Sequence, residues 1–175
     1  HLSIRRQRQM CIRDSHMGTL FPEVRLKRYL EMRGADAGPS AHLIALPAFW
    51  VGLLYDRAAL DQAWQLVKDW TEDQRQALRD EVPRLGLGAT IAGRSLRDVA
   101  RDVLALASAG LRRRARLDKA GKDEAGHLAP VIEIVETGLT LADRLAASFE
   151  SEWGRSVSPV FKMPEHGPQN WTPVL

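Results

Sequence analysis

Cysteine is almost absent from this sequence. Cys11 is the one thiol among 175 residues, so the chain cannot close an internal disulfide, and a reducing, cytoplasmic setting is expected. The five histidines, at 1, 16, 42, 127 and 166, form no zinc-type spacing with each other or with Cys11. Long apolar runs are missing too. The best stretch, Leu43 to Tyr55, falls short of the roughly 18–20 residues a membrane helix needs and contains Pro47 and Gly52, so no membrane partner is expected. An excess of one charge is also lacking over most of the chain, despite a pI near 9.3. Residues 1–15 hold Arg5, Arg6, Arg8 and Arg13 against Asp14 alone, and the remaining 160 residues carry 21 basic and 21 acidic side chains. A balanced body of this kind argues against a nucleic-acid partner.

What is present is ordinary globular material: 45% hydrophobic residues, 27% charged residues and a mean hydropathy of −0.27. The length suits one domain with a core of its own. The chain opens on His1 rather than Met, which reads as the mark of a fragment. The stretch RQRQMCIRDS, Arg6 to Ser15, resembles a translated sequencing-adapter artefact, and residues 1–15 are set aside as that or as a disordered arm. The body is expected over residues 16–161. Prolines 159, 164, 168 and 173 mark residues 162–175 as an extended tail.

One strand followed by helices is the expected order. From Val24 to Arg33 the residues alternate, with Val24, Leu26, Leu30 and Met32 on one face and Arg25, Lys27, Tyr29, Glu31 and Arg33 on the other; Arg28 alone breaks the pattern. Leu43 to Tyr55 reads as a buried helix, and Asp56 to Trp70 continues in helical register with Leu60, Trp64 and Val67 as its apolar stripe. Capping boxes at Thr71/Gln74, Ser95/Asp98 and Thr140/Asp143 open three further helices. The first of these should stop before Pro83, and the last should reach about Trp153. Residues 84–94 form a glycine-rich link, and a short helix from Leu128 to Glu136 closes at Gly138.

The polar face of the strand is the strongest candidate for chemistry. Glu31 and Arg33, two apart, project from the same side; a carboxylate there can hold a divalent metal while the guanidinium grips a phosphate or carboxylate in bidentate fashion. Taken alone, the pattern is a weak signal and fits a solvated face with cross-strand ion pairs better. Other features carry less. Arg112, Arg113, Arg114 and Arg116 sit in the last turns of a helix, where cations suit the dipole. Gly86, Gly88 and Gly93 lack the flanking residues of a phosphate loop. His42 and His127 have no catalytic partner nearby in sequence, and Trp50, Trp64, Trp70 and Trp153 are read as packing residues.

Two runs decide between these readings. TLFPEVRLKRYLEMRGAD, Thr19 to Asp36, and ALPAFWVGLLYD, Ala45 to Asp56, resemble the glutamate-cysteine ligase family of plants and proteobacteria, and the similarity runs more loosely through LADRLAASFESEWG to about Phe161. The resemblance covers most of this chain but only the C-terminal part of a family member. It implies an α+β fold, in which one strand of an antiparallel, glutamine-synthetase-like sheet precedes a mostly helical C-terminal region. It also implies ATP and magnesium as cofactors, and glutamate and cysteine as substrates joined through a γ-glutamyl phosphate. By the same resemblance Glu31 is the metal ligand, and Arg33 is the catalytic partner of the transferring phosphate or of the glutamate carboxylate. Arg25, Lys27 and Tyr29 line the substrate pocket without individual roles.

Ser40-Ala41-His42 departs from the family, which usually has a Trp and basic residues after Gly-Pro. The remaining carboxylates and the nucleotide-binding strands would lie upstream of His16, so the fragment alone should be inactive. A non-catalytic helical interaction module is the alternative, and a ligase joining glutamate to another amine is a third reading.

Overall fold

The computed structural model describes residues 23–35 and 38–162; the expectations for residues 1–15 and for the tail beyond Lys162 lie outside the described residues. Two compact units divide the chain, residues 1–36 and residues 37–175.

In the first unit the expected single strand is a hairpin. β1 (Val24–Leu26) pairs antiparallel with β2 (Leu30–Met32), with Val24 opposite Met32, Arg25 opposite Glu31 and Leu26 opposite Leu30. The residue that breaks the alternation, Arg28, is the middle of the three-residue bend at 27–29. A turn of odd length preserves the parity of the pleat, so even-numbered residues still share one face and Arg25 and Glu31 share the other. Arg33 carries the ladder one step further, its N–H donating to the Glu23 carbonyl at 2.7 Å.

The second unit is mostly helical. α1 (Ser40–Leu54) and α2 (Arg57–Val67) meet at a 91° bend, so the expected continuation across Asp56 is instead a new helix. Asp56 makes the corner. Its Oδ1 accepts from the Ala59 N–H at 2.8 Å as the N-cap of α2, and both of its carboxylate oxygens accept from Arg113, at 2.6 and 3.0 Å. No single helix among the described residues is long and apolar enough to cross a membrane.

α3 (Glu72–Leu85) opens on the expected capping box of Thr71 and Gln74. It runs past Pro83, because a proline in the last turn forfeits one hydrogen bond at an end that frays anyway. The glycine-rich link contains a second sheet that sequence reading misses: β3 (Thr90–Ile91) and β4 (Arg94–Ser95), joined through Ala92 and Gly93 with φ of 50° and 77°. α4 (Leu96–Arg114) starts at Ser95, whose hydroxyl accepts from the Asp98 N–H. α5 (Ala129–Thr137) ends at Gly138, and α6 (Leu141–Glu150) opens on the Thr140/Asp143 box and stops three residues short of Trp153.

The core lies where α1 crosses α4, closed on one side by the 3-10 turn Glu124–Leu128. Leu53, Ala107, Leu111, Ala125 and Leu128 form it, with Leu111 and Leu128 fully buried. Truncating either leucine to alanine is expected to cost about 2–5 kcal/mol. The expected apolar stripe of α2 is not the docked face. Trp64 is 60% exposed, and the helix packs through Ala59 instead. Arg97, near the start of α4, ties the bundle to α5 by donating to the carbonyls of Val135 (2.6 Å) and Glu136.

Arg113 holds the Asp56 carboxyl down to about 2, helped by the Ala59 N–H and opposed by burial. A carboxyl depressed in the folded state from an ordinary value near 3.8 adds stability that is complete above about pH 4 and is lost as pH falls toward 2. Asp56→Asn is therefore expected to lower the melting temperature at neutral pH and to flatten its fall between about pH 4 and about pH 2. Thermal melts across that range check it, and an unchanged acid limb would refute the corner's role.

Candidate active site

The hairpin gathers the residues singled out on the polar face of the sequence. Cross-strand pairing sets Arg25 directly opposite Glu31, and Arg25 Nε donates to Glu31 Oε2 at 2.7 Å. Lys27, in the bend, reaches the same oxygen with its ammonium at 3.8 Å. That ammonium also stands over the Tyr29 ring, 5.9 Å from its centroid. Arg33 adds its field from the end of the ladder. The five candidate residues thus form one cluster of three cations around one carboxylate, with an aromatic ring at the bend.

The electrostatics follow from that count. The hydrogen bond from Arg25 holds the Glu31 carboxyl below its ordinary value; burial opposes this, and the charges of Arg25, Lys27 and Arg33 add to it. Glu31 is therefore an ionised acceptor at neutral pH. Its side chain is 29% exposed, and those of Arg25 and Lys27 are 22% and 42% exposed, so the cluster is half-open to an incoming group.

Among the described residues no three histidine, cysteine, aspartate or glutamate side chains meet as a ligand set. The chemistry at hand is one carboxylate flanked by cations. This donor set fits a magnesium ion that takes a single carboxylate from these residues and keeps phosphate and water oxygens for the rest. The surplus of positive charge fits the oxygens of a phosphate or carboxylate. Glu31 would hold the ion, and the basic groups around it would face the anion.

Sequence reading singled out these five residues but not their mutual arrangement. It treated Arg25 as one of several pocket-lining side chains, whereas the turn at 27–29 makes it the direct partner of Glu31. The arginines at the end of α4 behave as surface and structural groups: Arg113 binds Asp56, and Arg114 reaches Glu124 at 3.4 Å and stands over the Tyr55 ring. A cavity of about 460 Å³ lies against the loop that follows them, lined by Arg116, Asp118, Lys122, Glu124 and His127 among others. Its walls carry both charge signs. Asp118 is occupied with the backbone N–H groups of Ala120 and Lys122, and the cavity contains none of the five candidates.

Comparison with known proteins supplies what the geometry alone does not. The "Glutamate--cysteine ligase, chloroplastic" of Nicotiana tabacum is 50% identical over 149 residues, which is 85% of this chain and 27% of that protein. Those of Arabidopsis thaliana and Brassica juncea are 52% and 51% identical over the same length, covering 27% and 28% of their own chains. The chain thus spans little more than a quarter of the relatives it matches. These relatives are named chloroplastic, which overturns the expectation of a cytoplasmic setting. A lone thiol does not say which compartment holds the protein. Residues 3–163 match one family as a whole, and together with identities near 50% this establishes that the chain belongs to glutamate-cysteine ligase family 2.

Proposed function

We propose that this chain forms the C-terminal part of the catalytic region of an ATP-dependent ligase that joins the γ-carboxyl of glutamate to the amino group of cysteine, the first step of glutathione synthesis. The observation that carries this reading is the convergence of Arg25, Lys27 and Arg33 on Glu31 within a segment whose relatives are glutamate-cysteine ligases. Magnesium, when bound, neutralises phosphate charge and orients the transferring group.

The chain's own residues have distinct tasks. Glu31 supplies one oxygen to the ion while keeping Arg25 at the floor of the site. Arg33 presents a planar guanidinium to the transferring phosphate or to the glutamate carboxylate, where a bidentate donor fixes direction as well as charge. Lys27 contributes a point charge backed by the Tyr29 ring. Each of these positive groups is worth most in the transition state, when charge spreads over the phosphoryl oxygens.

The test is ADP release dependent on both glutamate and cysteine. A full-length protein carrying this sequence should release ADP, and the 175-residue chain by itself should not. A full-length protein that releases ADP with glutamate and some other amine, and not with cysteine, would redirect the reading to a related ligase.

A further inference from the structure

His42 occupies an unusual position in the helical unit. It lies in the first turn of α1, which contains no acidic residue there, and both of its ring nitrogens are shielded from solvent with no hydrogen-bond partner among the described residues. A buried polar group left unpaired costs free energy, and histidine is the side chain whose charge changes nearest to neutral pH.

Two charged groups, one of each sign, act on the ring. Arg144 of α6 is 8% exposed, and its Nη2 donates to Glu133 of α5 at 2.6 Å. Leu141 of α6 and the His42 Cβ crowd the same point beside Gly38, 3.5 and 3.3 Å from where a Cβ on that glycine would stand. α6 is weakly held: apart from the Arg144 side chain it buries nothing, and the Arg144–Glu133 pair links it to α5. A charged imidazole at this point would be repelled by the Arg144 guanidinium, and Glu133, whose Oε1 already accepts from Arg144, offsets the combined penalty of burial and that repulsion only in part.

We propose that His42 is a proton-operated latch on helix α6: a proton on its ring expels α6 from the bundle, while the neutral ring lets it dock. The physical balance supports this direction. Burial holds the His42 ring below its ordinary value, Arg144 pushes the same way and Glu133 opposes them. A base depressed in the folded state contributes docking stability that is complete above about pH 6.5, the ordinary histidine value, and is lost as pH falls through the lowered one.

Hydrogen exchange of the 175-residue chain reads this directly. Amide protection in α6 is compared with protection in α4 at about pH 7.5 and about pH 5.5, on either side of the ordinary histidine value, after correction for intrinsic exchange. The expected result is a several-fold loss of α6 protection at the lower pH while α4 is unchanged. His42→Gln and His42→Phe, neither of which titrates, should both abolish that difference; two variants are used so that a folding failure in one leaves the other decisive. Parallel loss in α6 and α4, or an α6 loss that survives in a folded variant, overturns the latch. Neither outcome depends on ligase activity, so the latch can fail without affecting the proposed function.

Discussion

Glu31→Ala and Arg33→Ala, each introduced into a full-length protein carrying this sequence, are expected to lower glutamate- and cysteine-dependent ADP release by at least about 10²-fold, the usual cost of removing a preorganised group from a charge-transfer site. The two losses have different origins. Removing the Glu31 carboxylate takes away the proposed magnesium oxygen and also releases Arg25 from its 2.7 Å hydrogen bond, so the floor of the site loses both charge and shape. Glu31→Gln separates these effects. The amide oxygen can still accept from Arg25 but is a poor ligand for a hard cation, so activity should stay low and respond to raised magnesium. Arg33→Lys should rescue little, because an ammonium cannot reproduce a bidentate grip. Near-normal ADP release in both alanine variants would remove the hairpin from the active site.

How the hairpin and helices arise explains which of their features could be read in advance. The two-residue period that separates Val24, Leu26, Leu30 and Met32 from Arg25 and Glu31 is a local property, and it survives the unexpected turn because three bend residues preserve parity. The turn itself left only a faint trace, the single break at Arg28, so the direct pairing of Arg25 with Glu31 was out of reach of the pattern. Helix starts were legible for the same local reason: Thr71, Ser95 and Thr140 each cap a backbone N–H three residues on.

Features set by tertiary contact were not legible. The period of α2 marks Leu60, Trp64 and Val67 as one stripe, yet nothing in that period says which neighbour will cover it. The helix docks through Ala59 and Ala63 one position away, because only small side chains fit against α4. The β3–β4 hairpin escaped notice because its turn places Ala92 at a positive φ, where glycine or asparagine is the usual signal. Compartment lies outside such reasoning, since a single thiol is compatible with more than one.

Gly52→Ala is expected to destabilise the helical unit by about 3 kcal/mol, near the upper end for overpacking a close contact, and to lower the melting temperature by roughly 10 °C for a chain of this size. α1 and α4 cross with their backbones almost touching. A Cβ on Gly52 would lie 2.9 Å from the Ala107 carbonyl carbon and 3.0 Å from its Cα, and closer still to the Ala107 oxygen. The obstacle is main chain in the middle of a helix, so no rotamer change relieves it; the helices must separate. That separation spreads to Leu53, one residue along α1, and to Leu111, one turn along α4, which are two of the five core residues. Gly110 faces the same crossing from the other side, where a Cβ would stand 3.0 Å from the Gly52 carbonyl carbon and 3.3 Å from the Ala59 Cβ, so Gly110→Ala should cost a similar amount. The two substitutions together should cost less than the sum of their separate effects, because helices already pushed apart by one methyl have room for the second. Gly126→Ala is the control. A Cβ there meets nothing within 4 Å, and its melting temperature should stay within the range of ordinary surface changes. Melts of the three single variants and the double variant decide the matter; a Gly52→Ala chain that melts like the control would mean that the crossing is looser than its geometry implies.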